Sequence, residues 1–267
     1  MSRKNPPPIP RFSTPIIETH CHLDYLDSYA LDTCLAEAEA AGVERIVTIA
    51  VSPDNLDTVL NISNQHKNVW ATQGIHPHEA SQWNAEVAAG VRAGAGHAKV
   101  VAIGEIGLDY YYEHSDRPAQ RSAFEAQLQI ASDLDLPVVI HTRDADEDTQ
   151  SILTNFSSML PKKGVIHSFT STLALAEFCL GEGFALGFNG IATFNRADNV
   201  REVVVATPLD QLLLETDAPY LTPVPYRGRP NAPKYLPFIA QSIAQTKHID
   251  VEDLLVQARE NSLRILF

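Results

Sequence analysis

Eight short runs of apolar and β-branched residues recur along the chain, and stretches with helical character separate most of them. The run at 45–51 ends in Ile-Val-Thr-Ile-Ala-Val, the pattern of a strand that is covered on both faces. Strands that alternate with helices build parallel sheets. The sequence therefore predicts an α/β protein, most economically a closed (β/α)8 barrel, the TIM barrel. We predict strands at 16–20, 45–51, 69–76, 100–105, 137–141, 164–167, 184–188 and 212–216. We predict helices near 31–41, 55–66, 84–97, 124–131, 146–159, 173–180, 232–245 and 251–266.

Polar residues with ligand chemistry distinguish the barrel from its alternative, an open doubly wound sheet. Predicted strands one, three, four, five, six and eight all end in or next to His, Glu or Asp. Only closure of the sheet brings six carboxyl ends around one mouth, where the active sites of such barrels lie. We therefore favour the barrel.

The length of 267 residues suits one large barrel domain, which we place at 16–267. The proline-rich residues 1–15 are expected to form an extended, mobile lead-in. This segment has basic residues but no apolar stretch, so we expect no secretory signal, and no apolar run is long enough to span a membrane. Three cysteines without a Cys-x-x-Cys spacing argue against a disulfide framework and for a reducing, cytoplasmic location. We expect a monomer.

The formal net charge of −13 restricts how the protein can bind nucleic acid. A general duplex-DNA binder carries a basic patch or stripe, and this sequence shows none. Any DNA or short nucleic-acid substrate must therefore be held locally, at bound metals and a few cations, or as a short or single-stranded end.

The segment Glu18-Thr-His-Cys-His22 ends the first predicted strand. Because side chains alternate across a strand, His20 and His22 point to one face and Cys21 to the other. Two imidazoles on one face can bind one metal ion, although such pairs also occur on purely structural strands. Four later predicted strands also end at His, Glu or Asp, and this recurrence favours a metal site over a purely structural role.

Four histidines and two carboxylates are the candidate ligands, enough for two divalent ions if one carboxylate bridges them. Glu105 is the expected bridge, because in chain order it lies between the strand-one histidines and those of strands five and six. We predict that one ion is bound by His20, His22, Glu105 and Asp217, and the other by Glu105, His141 and His167. Zn, Mn, Ni and Mg ions all suit such ligands.

Three residues have predicted roles in hydrolysis. A divalent ion lowers the pKa of bound water to about 7, and two ions about 4 Å apart stabilise both oxygens of an in-line displacement. Asp217 can contact both metal and water, which makes it the candidate general base. His76, in Gly74-Ile-His-Pro-His78, is predicted to bind or protonate the leaving oxygen, and Arg143 to hold a phosphate.

Other polar residues near these strings receive structural interpretations. His78 is expected to face solvent, and Cys21 to be a packed core thiol. Asp109 and the tyrosines 110–112 are expected to shape the mouth. Glu215 shares a face with Asp217, and we leave open whether it supports a ligand or is one.

Taken together, the strings resemble the TatD-type metal-dependent deoxyribonucleases, a branch of the amidohydrolase-like TIM barrels. The resemblance runs from Glu18 to Thr222, with an Arg-Gly-x-x-Asn feature at 227–231. It implies a two-metal hydrolase of phosphodiester bonds that acts as an exonuclease on DNA. The matching strings, in family order, are ETHCHLD, GIHPH, GEIGLDYY, VIHTRDADEDT, IHSFTST, GFNGIATF and LLLETDAPYL. The positions that match the family's metal ligands are His20, His22, Glu105, His141, His167 and Asp217, and His76 matches its substrate-side histidine.

Three residues depart from the family pattern. Glu18 replaces the usual Asp, which is expected to change the support of His20. Ser168 replaces Cys and Ser171 replaces Gly, which is expected to loosen the loop after strand six. All six ligand positions are nonetheless filled, which argues against an inactive scaffold.

The same metal cage could instead open ester, lactone or amide bonds, including those of aminoacyl-tRNA. Many relatives of that kind carry a bridging lysine at the end of strand four. Here Glu105 stands at that position, which disfavours this alternative. A third alternative is a binding protein that keeps the metal site as a relic.

Overall fold

The computed structural model describes residues 7–26 and 29–267. Within them, eight parallel strands form one sheet in which each strand pairs with the next in sequence. The strands are β1 Ile16–Cys21, β2 Val43–Thr48, β3 Val69–Gln73, β4 Val100–Asp109, β5 Val138–Arg143, β6 Gly164–Ile166, β7 Ala185–Phe188 and β8 Leu212–Leu214. The α-helices are α1 Leu31–Ala40, α2 Leu56–Gln65, α3 Ala85–Ala95, α4 Arg117–Leu134, α5 Asp146–Phe156, α6 Leu173–Gly181, α7 Asp198–Ala206, α8 Leu236–Lys247 and α9 Val251–Leu266. The predicted (β/α)8 barrel is confirmed.

The core has two parts because successive strand residues face opposite sides of the sheet. Along β2, Ile46 belongs to a large cluster that includes helix residues, while Val47 belongs to a smaller cluster of strand residues. Leu266 of α9 joins the smaller cluster, and the Phe267 ring packs edge-on against Trp70 at 5.0 Å between centroids. The end of the chain therefore covers the end of the barrel opposite the site described below.

The barrel closes where the first strand meets the segment after the last one. The Asp217 N–H donates to the His20 carbonyl at 2.9 Å, and the His22 N–H donates to the Ala218 carbonyl at 2.7 Å. The Thr19 hydroxyl donates to the Leu214 carbonyl at 2.9 Å. These hydrogen bonds form a seam that holds two predicted ligand segments side by side.

Several element boundaries and one helix differ from the sequence prediction. Strand β2 ends at Thr48 and not at 51, β3 ends at Gln73 and not at 76, and α4 begins at Arg117 and not near 124. Strand β4 continues to Asp109, so the predicted end at Glu105 was wrong by four residues. Helix α7 was not predicted, because its sequence is rich in valine, which favours strands. Val200, Val203 and Val204 nevertheless have helical spacing and are buried.

The described part of the lead-in, 7–15, forms neither a helix nor a strand, and 1–6 lie outside the described residues. Its end is fixed to α9, because the Glu252 carboxylate accepts the Ser13 N–H at 2.6 Å and the Thr14 N–H at 3.0 Å. No helix in the described ranges is long and apolar enough to cross a bilayer.

Candidate metal centre

The barrel seam brings the first predicted ligands together. His20 lies at the end of β1, and His22 follows it directly. Asp217 Oδ1 lies 3.4 Å from His22 Nε2 and 3.7 Å from His20 Nε2. The residues that adjoin β1 and β8 therefore form one group of three ligand-type side chains that could hold an ion.

Glu105 lies at the centre of the remaining histidines. Its Oε2 lies 3.3 Å from His20 Nε2. Its Oε1 lies 2.8 Å from His167 Nε2, 3.1 Å from His141 Nδ1 and 3.3 Å from His76 Nε2. One buried carboxylate thus contacts imidazoles from both sides, which is the geometry expected of a bridging ligand.

The structure brings all six predicted ligands into one cluster, but their grouping differs in detail from the prediction. His20, Glu105 and His167 form a second group with ligand spacing. His76, Glu105 and His141 form a third, so His76 is also within ligand reach although we assigned it to substrate. The expected division between two ions remains a prediction.

The electrostatics of the cluster fit cations. Burial alone would raise the pKa of the Glu105 carboxyl, but its electrostatic contacts with the imidazoles of His167, His76 and His20 hold that pKa well below its ordinary value. Burial would likewise raise the pKa of Asp217, and the hydrogen bond from His22 lowers it instead. The cluster therefore keeps both carboxylates ionised, as metal binding requires.

Several buried nitrogen atoms point to missing partners. Neither ring nitrogen of His20 makes a well-directed hydrogen bond within the described chain, although the ring is fully buried. Nδ1 of His22 and Nδ1 of His167 are also without a hydrogen-bond partner there. Buried polar groups normally have partners. The donor set and its unpaired atoms therefore fit bound divalent ions.

A second carboxylate supports His141 from the outside. Asp109 Oδ2 lies 3.0 Å from His141 Nε2 and 3.1 Å from His78 Nε2, and Asp109 is almost fully buried. Sequence reasoning gave Asp109 only a role in shaping the mouth and did not predict its contacts with two histidines. His78, which was expected to face solvent, has a side chain that is 27% exposed and lies against Asp109. The sequence did contain a sign of this role. Asp109 is four residues from Glu105 on β4, and side chains an even number of residues apart lie on the same face of a strand.

Glu215 supports the loop that carries His167. Its Oε1 accepts the Ser168 N–H at 2.6 Å and lies 3.6 Å from His167 Nδ1. The Asn189 amide donates to the same oxygen at 3.3 Å and to the Ser168 hydroxyl at 2.8 Å. Of the two interpretations left open for Glu215, these contacts favour support of a ligand.

Glu18 accepts hydrogen bonds from the backbone on both sides of the seam. Its Oε1 accepts the His20 N–H at 3.1 Å and the Thr216 N–H at 2.9 Å. Burial raises the pKa of Glu18 to about 8. Glu18 therefore links β1 to the segment after β8. Cys21, on the other face of β1, is fully buried, as predicted.

A cavity of about 720 Å³, here called the metal cavity, opens above the cluster. Arg143 lies on its wall, with the guanidinium 4.0 Å from the Tyr111 ring centroid. Tyr25 and Tyr220 lie on the side of His22, at ring-centroid distances of 5.5 and 6.0 Å from its imidazole. The residues that line the metal cavity include His22, Tyr25, His76, His78, Glu105, Tyr112, His141, Arg143, His167, Thr170, Ile191, Asp217 and Tyr220.

Comparison with known proteins identifies the family. A family model described as TatD related DNase matches residues 17–266. The chain belongs to the TatD-related DNase family. It is 35% identical over 252 residues to the uncharacterized metal-dependent hydrolase YabD of Bacillus subtilis (strain 168), covering 94% of this chain and 98% of YabD. It is 41% identical over 242 residues to the 3'-5' ssDNA/RNA exonuclease TatD of Erwinia amylovora, covering 88% and 93% of the two chains. Among solved structures, the TatD homologue YJJV of Escherichia coli K12 superposes with a TM-score of 0.86 at 30% identity, covering 94% of this chain and 97% of YJJV.

The predicted family is therefore confirmed. The TatD-related family and the His/Glu/Asp cluster together make this chain a metal-dependent hydrolase with nuclease function, as expected from the sequence.

Proposed function

We propose that this TatD-related protein is a two-metal exonuclease that removes nucleotides from the ends of single-stranded DNA or short nucleic acids. The observation that carries the proposal is the position of Glu105, with one oxygen toward His20 and the other toward His141 and His167. Two groups of ligands that share one carboxylate suit two ions at the floor of a cavity. The exonuclease TatD of Erwinia amylovora supports the substrate class.

We propose His20, His22, Glu105 and Asp217 as ligands of one ion, and Glu105, His141 and His167 as ligands of the other. When bound, such ions lower the pKa of water and stabilise the attacking and leaving oxygens of a phosphodiester displacement. The metal could be Zn, Mg, Mn or Ni, since the donor set suits all four.

The protein's own side chains then supply proton transfer and positioning. Asp217 lies at the edge of the cluster and is the proposed general base, because its carboxylate stays ionised and borders the cavity. Burial lowers the pKa of His76 to about 4, so the neutral ring is suited to hydrogen-bond the leaving oxygen. Arg143 is proposed to hold a phosphate, because its guanidinium stacks on Tyr111 and Tyr112 at the cavity wall.

The direct experiment compares end-labelled single-stranded, double-stranded and nicked circular oligonucleotides with added Mg²⁺, Mn²⁺, Zn²⁺ or Ni²⁺. We expect stepwise shortening of the single strand that stops with a chelator and in Asp217→Asn. A parallel panel of lactones, simple esters and aminoacyl-tRNA tests the alternative hydrolase. Cleavage of any nucleic acid that survives both the chelator and Asp217→Asn would remove the metal mechanism.

We also propose the setting in which the protein works. Its three cysteines, Cys21, Cys34 and Cys179, are all free and buried, which supports a reducing compartment such as the cytoplasm. We propose that 16–267 folds as one domain. Action as a monomer stays a prediction, which light scattering on the purified protein checks.

A further inference from the structure

Three cavities meet at Thr170, on the loop after β6. Thr170 lines the metal cavity and two neighbouring cavities, and each neighbour offers a route for a strand that leaves the metal cavity. One neighbour, here the acidic cavity, has a volume of about 880 Å³ and shares Arg143 with the metal cavity. The other, here the arginine cavity, has a volume of about 370 Å³ and shares Ile191 with it.

The charges of the two routes are opposite. The acidic cavity is lined by two arginines, Arg117 and Arg143, and by five carboxylates, which are Asp144, Asp146, Glu147, Asp148 and Glu202. The lining of the arginine cavity contains Arg196 and Arg227 and no acidic residue. In a protein with a formal net charge of −13, this cavity is where a polyanion can be held.

Both arginines are available for a ligand. Neither Arg196 nor Arg227 forms an ion pair with a carboxylate of the described chain. The neighbouring Arg201 differs, because it donates to the Phe194 carbonyl at 2.7 Å and to Asp198 at 2.5 Å. Arg201 thus holds the loop, while the other two guanidinium groups keep their donors for a phosphate.

The arginine cavity is also preorganised. The Arg227 guanidinium lies 4.0 Å from the centroid of the Phe194 ring, so a planar cation and an aromatic ring already form a stacked pair. The Val224 N–H donates to the Thr193 hydroxyl at 2.9 Å, which joins the loop of Arg227 to the segment of Phe194. A base can stack on such a pair, and base–aromatic stacking is worth about 1–3 kcal/mol per base.

The N-terminus of α7 also lines the arginine cavity. Its N-cap is Ala197, whose side chain offers no oxygen to the first-turn N–H groups, and Ala197, Asn199 and Val200 line the arginine cavity. An uncapped helix N-terminus favours anions, and the first-turn carboxylate of Asp198 is paired with Arg201 at 2.5 Å. Together with the two arginines, it provides a place for a phosphate.

We propose that the single strand leaves the metal cavity over Thr170 and Ile191 and that a phosphate beyond the scissile one binds between Arg196 and Arg227. A base next to it stacks on Phe194 and Arg227. This inference rests on the proposed nuclease function and adds the direction in which the rest of the strand runs. The acidic cavity, apart from Arg143 at its border with the metal cavity, is left free of nucleic acid.

The test measures kcat and KM of the holoenzyme on oligothymidylates from two to eight nucleotides long. For wild type, KM falls as the chain becomes long enough to reach the arginine cavity. In Arg196→Ala and Arg227→Ala, KM for the long substrates rises by about 10-fold each, the order expected for a charged hydrogen bond, while kcat on the dinucleotide is unchanged. The double variant loses the dependence on length, and its salt slope for single-strand binding falls by about 0.7 per lost phosphate contact.

The matched control is Arg117→Ala, which removes the same charge from the acidic cavity and leaves KM unchanged at every length. Arg227→Gln serves if Arg227→Ala fails to fold. A single methylphosphonate placed at successive linkages locates the phosphate, because the neutral linkage weakens wild type at one position and has no effect there in the double variant. Retained length dependence in the double variant, or an equal effect of Arg117→Ala, would overturn the inference. If the wild-type protein cleaves no oligonucleotide, the proposed function fails, and the strand path inferred from it fails as well.

Discussion

Replacement of Asp109 by Asn tests whether His141 is a metal ligand that a buried carboxylate orients. Asp109 Oδ1 accepts the N–H groups of Tyr111 and Tyr112, both at 3.0 Å. Its Oδ2 lies 3.0 Å from His141 Nε2 and 3.1 Å from His78 Nε2. Asn has the same shape, but its NH2 group cannot accept a hydrogen bond. In one orientation this group faces the two tyrosine N–H groups, and in the other it faces the two histidine rings. The variant therefore breaks one pair of contacts without changing the side-chain volume.

The size of the effect follows from the hydrogen bond that is lost. A bond of 3.0 Å to a buried carboxylate contributes about 1.5–3 kcal/mol, which corresponds to a factor of roughly 10 to 150. Loss of a carboxylate partner of a ligating histidine costs about 10- to 100-fold in metal affinity. We therefore expect metal affinity at the His141 side of the cluster to fall by about 10- to 100-fold.

The assay is a chelator-buffered titration of metal content and of nuclease activity against free metal. We expect the activity curve of Asp109→Asn to shift to higher metal concentration and to recover most of kcat at saturation. Asp144→Asn is the matched control, because it makes the same charge change on an exposed residue close to Arg143. An unshifted metal curve for Asp109→Asn would refute the role of His141 as an oriented ligand, and an equal shift in the control would show a nonspecific effect of charge.

Three further predictions address the bridge, the packing and the pH response. Glu105→Ala is expected to reduce kcat/KM more than His76→Ala, since Glu105 is the proposed bridge between two ions; the reverse order in side-by-side kinetics would contradict the bridge. Gly107 has a φ of +134°, and an added Cβ would lie 2.0 Å from the His141 carbonyl oxygen. Gly107→Ala should therefore lower the free energy of unfolding by about 3 kcal/mol in urea titrations. A variant with the same urea midpoint as wild type would contradict this, because β4 and β5 would then separate without cost. Hydrogen bonds from Ser13 and Thr14 lower the pKa of Glu252 to about 2. Because this pKa is depressed, the contact stabilises the fold above about pH 4.5 and is lost as the pH falls through about 2. The NMR chemical shift of the Ser13 amide follows this titration, and a midpoint near pH 4.5 would disprove the depressed pKa.

Much of the fold and of the cluster could be predicted because the signals are local. The apolar runs give the strands, and His20 and His141 lie near the carboxyl ends of β1 and β5, where ligands were expected. Helix α7 was missed because a valine-rich stretch favours a strand by propensity, while its packing against the barrel decides for a helix.

The surroundings of the cluster depend on contacts that sequence spacing does not encode. The contact of Asp109 with the cluster was not predicted because β4 was expected to end at Glu105. With that end, the position of Asp109 on the same strand face as Glu105 was not recognised. His78 was placed in solvent because the 3-10 turn Pro77–Gln82 that follows His76 could not be foreseen, and this turn sets His78 against Asp109. The arginine cavity joins Arg196 and Arg227, which are 31 positions apart in the sequence, and only the folded chain brings them together.

The seam between β1 and the segment after β8 has a consequence for biosynthesis. His20 and His22 leave the ribosome early, whereas Asp217, whose N–H donates to the His20 carbonyl, is made when four fifths of the chain has been translated. A nascent chain that stops before Leu212 thus has neither the final strand nor that carboxylate. The proposed metal cluster can therefore be complete only after the last strand has been translated and has closed the ring beside β1.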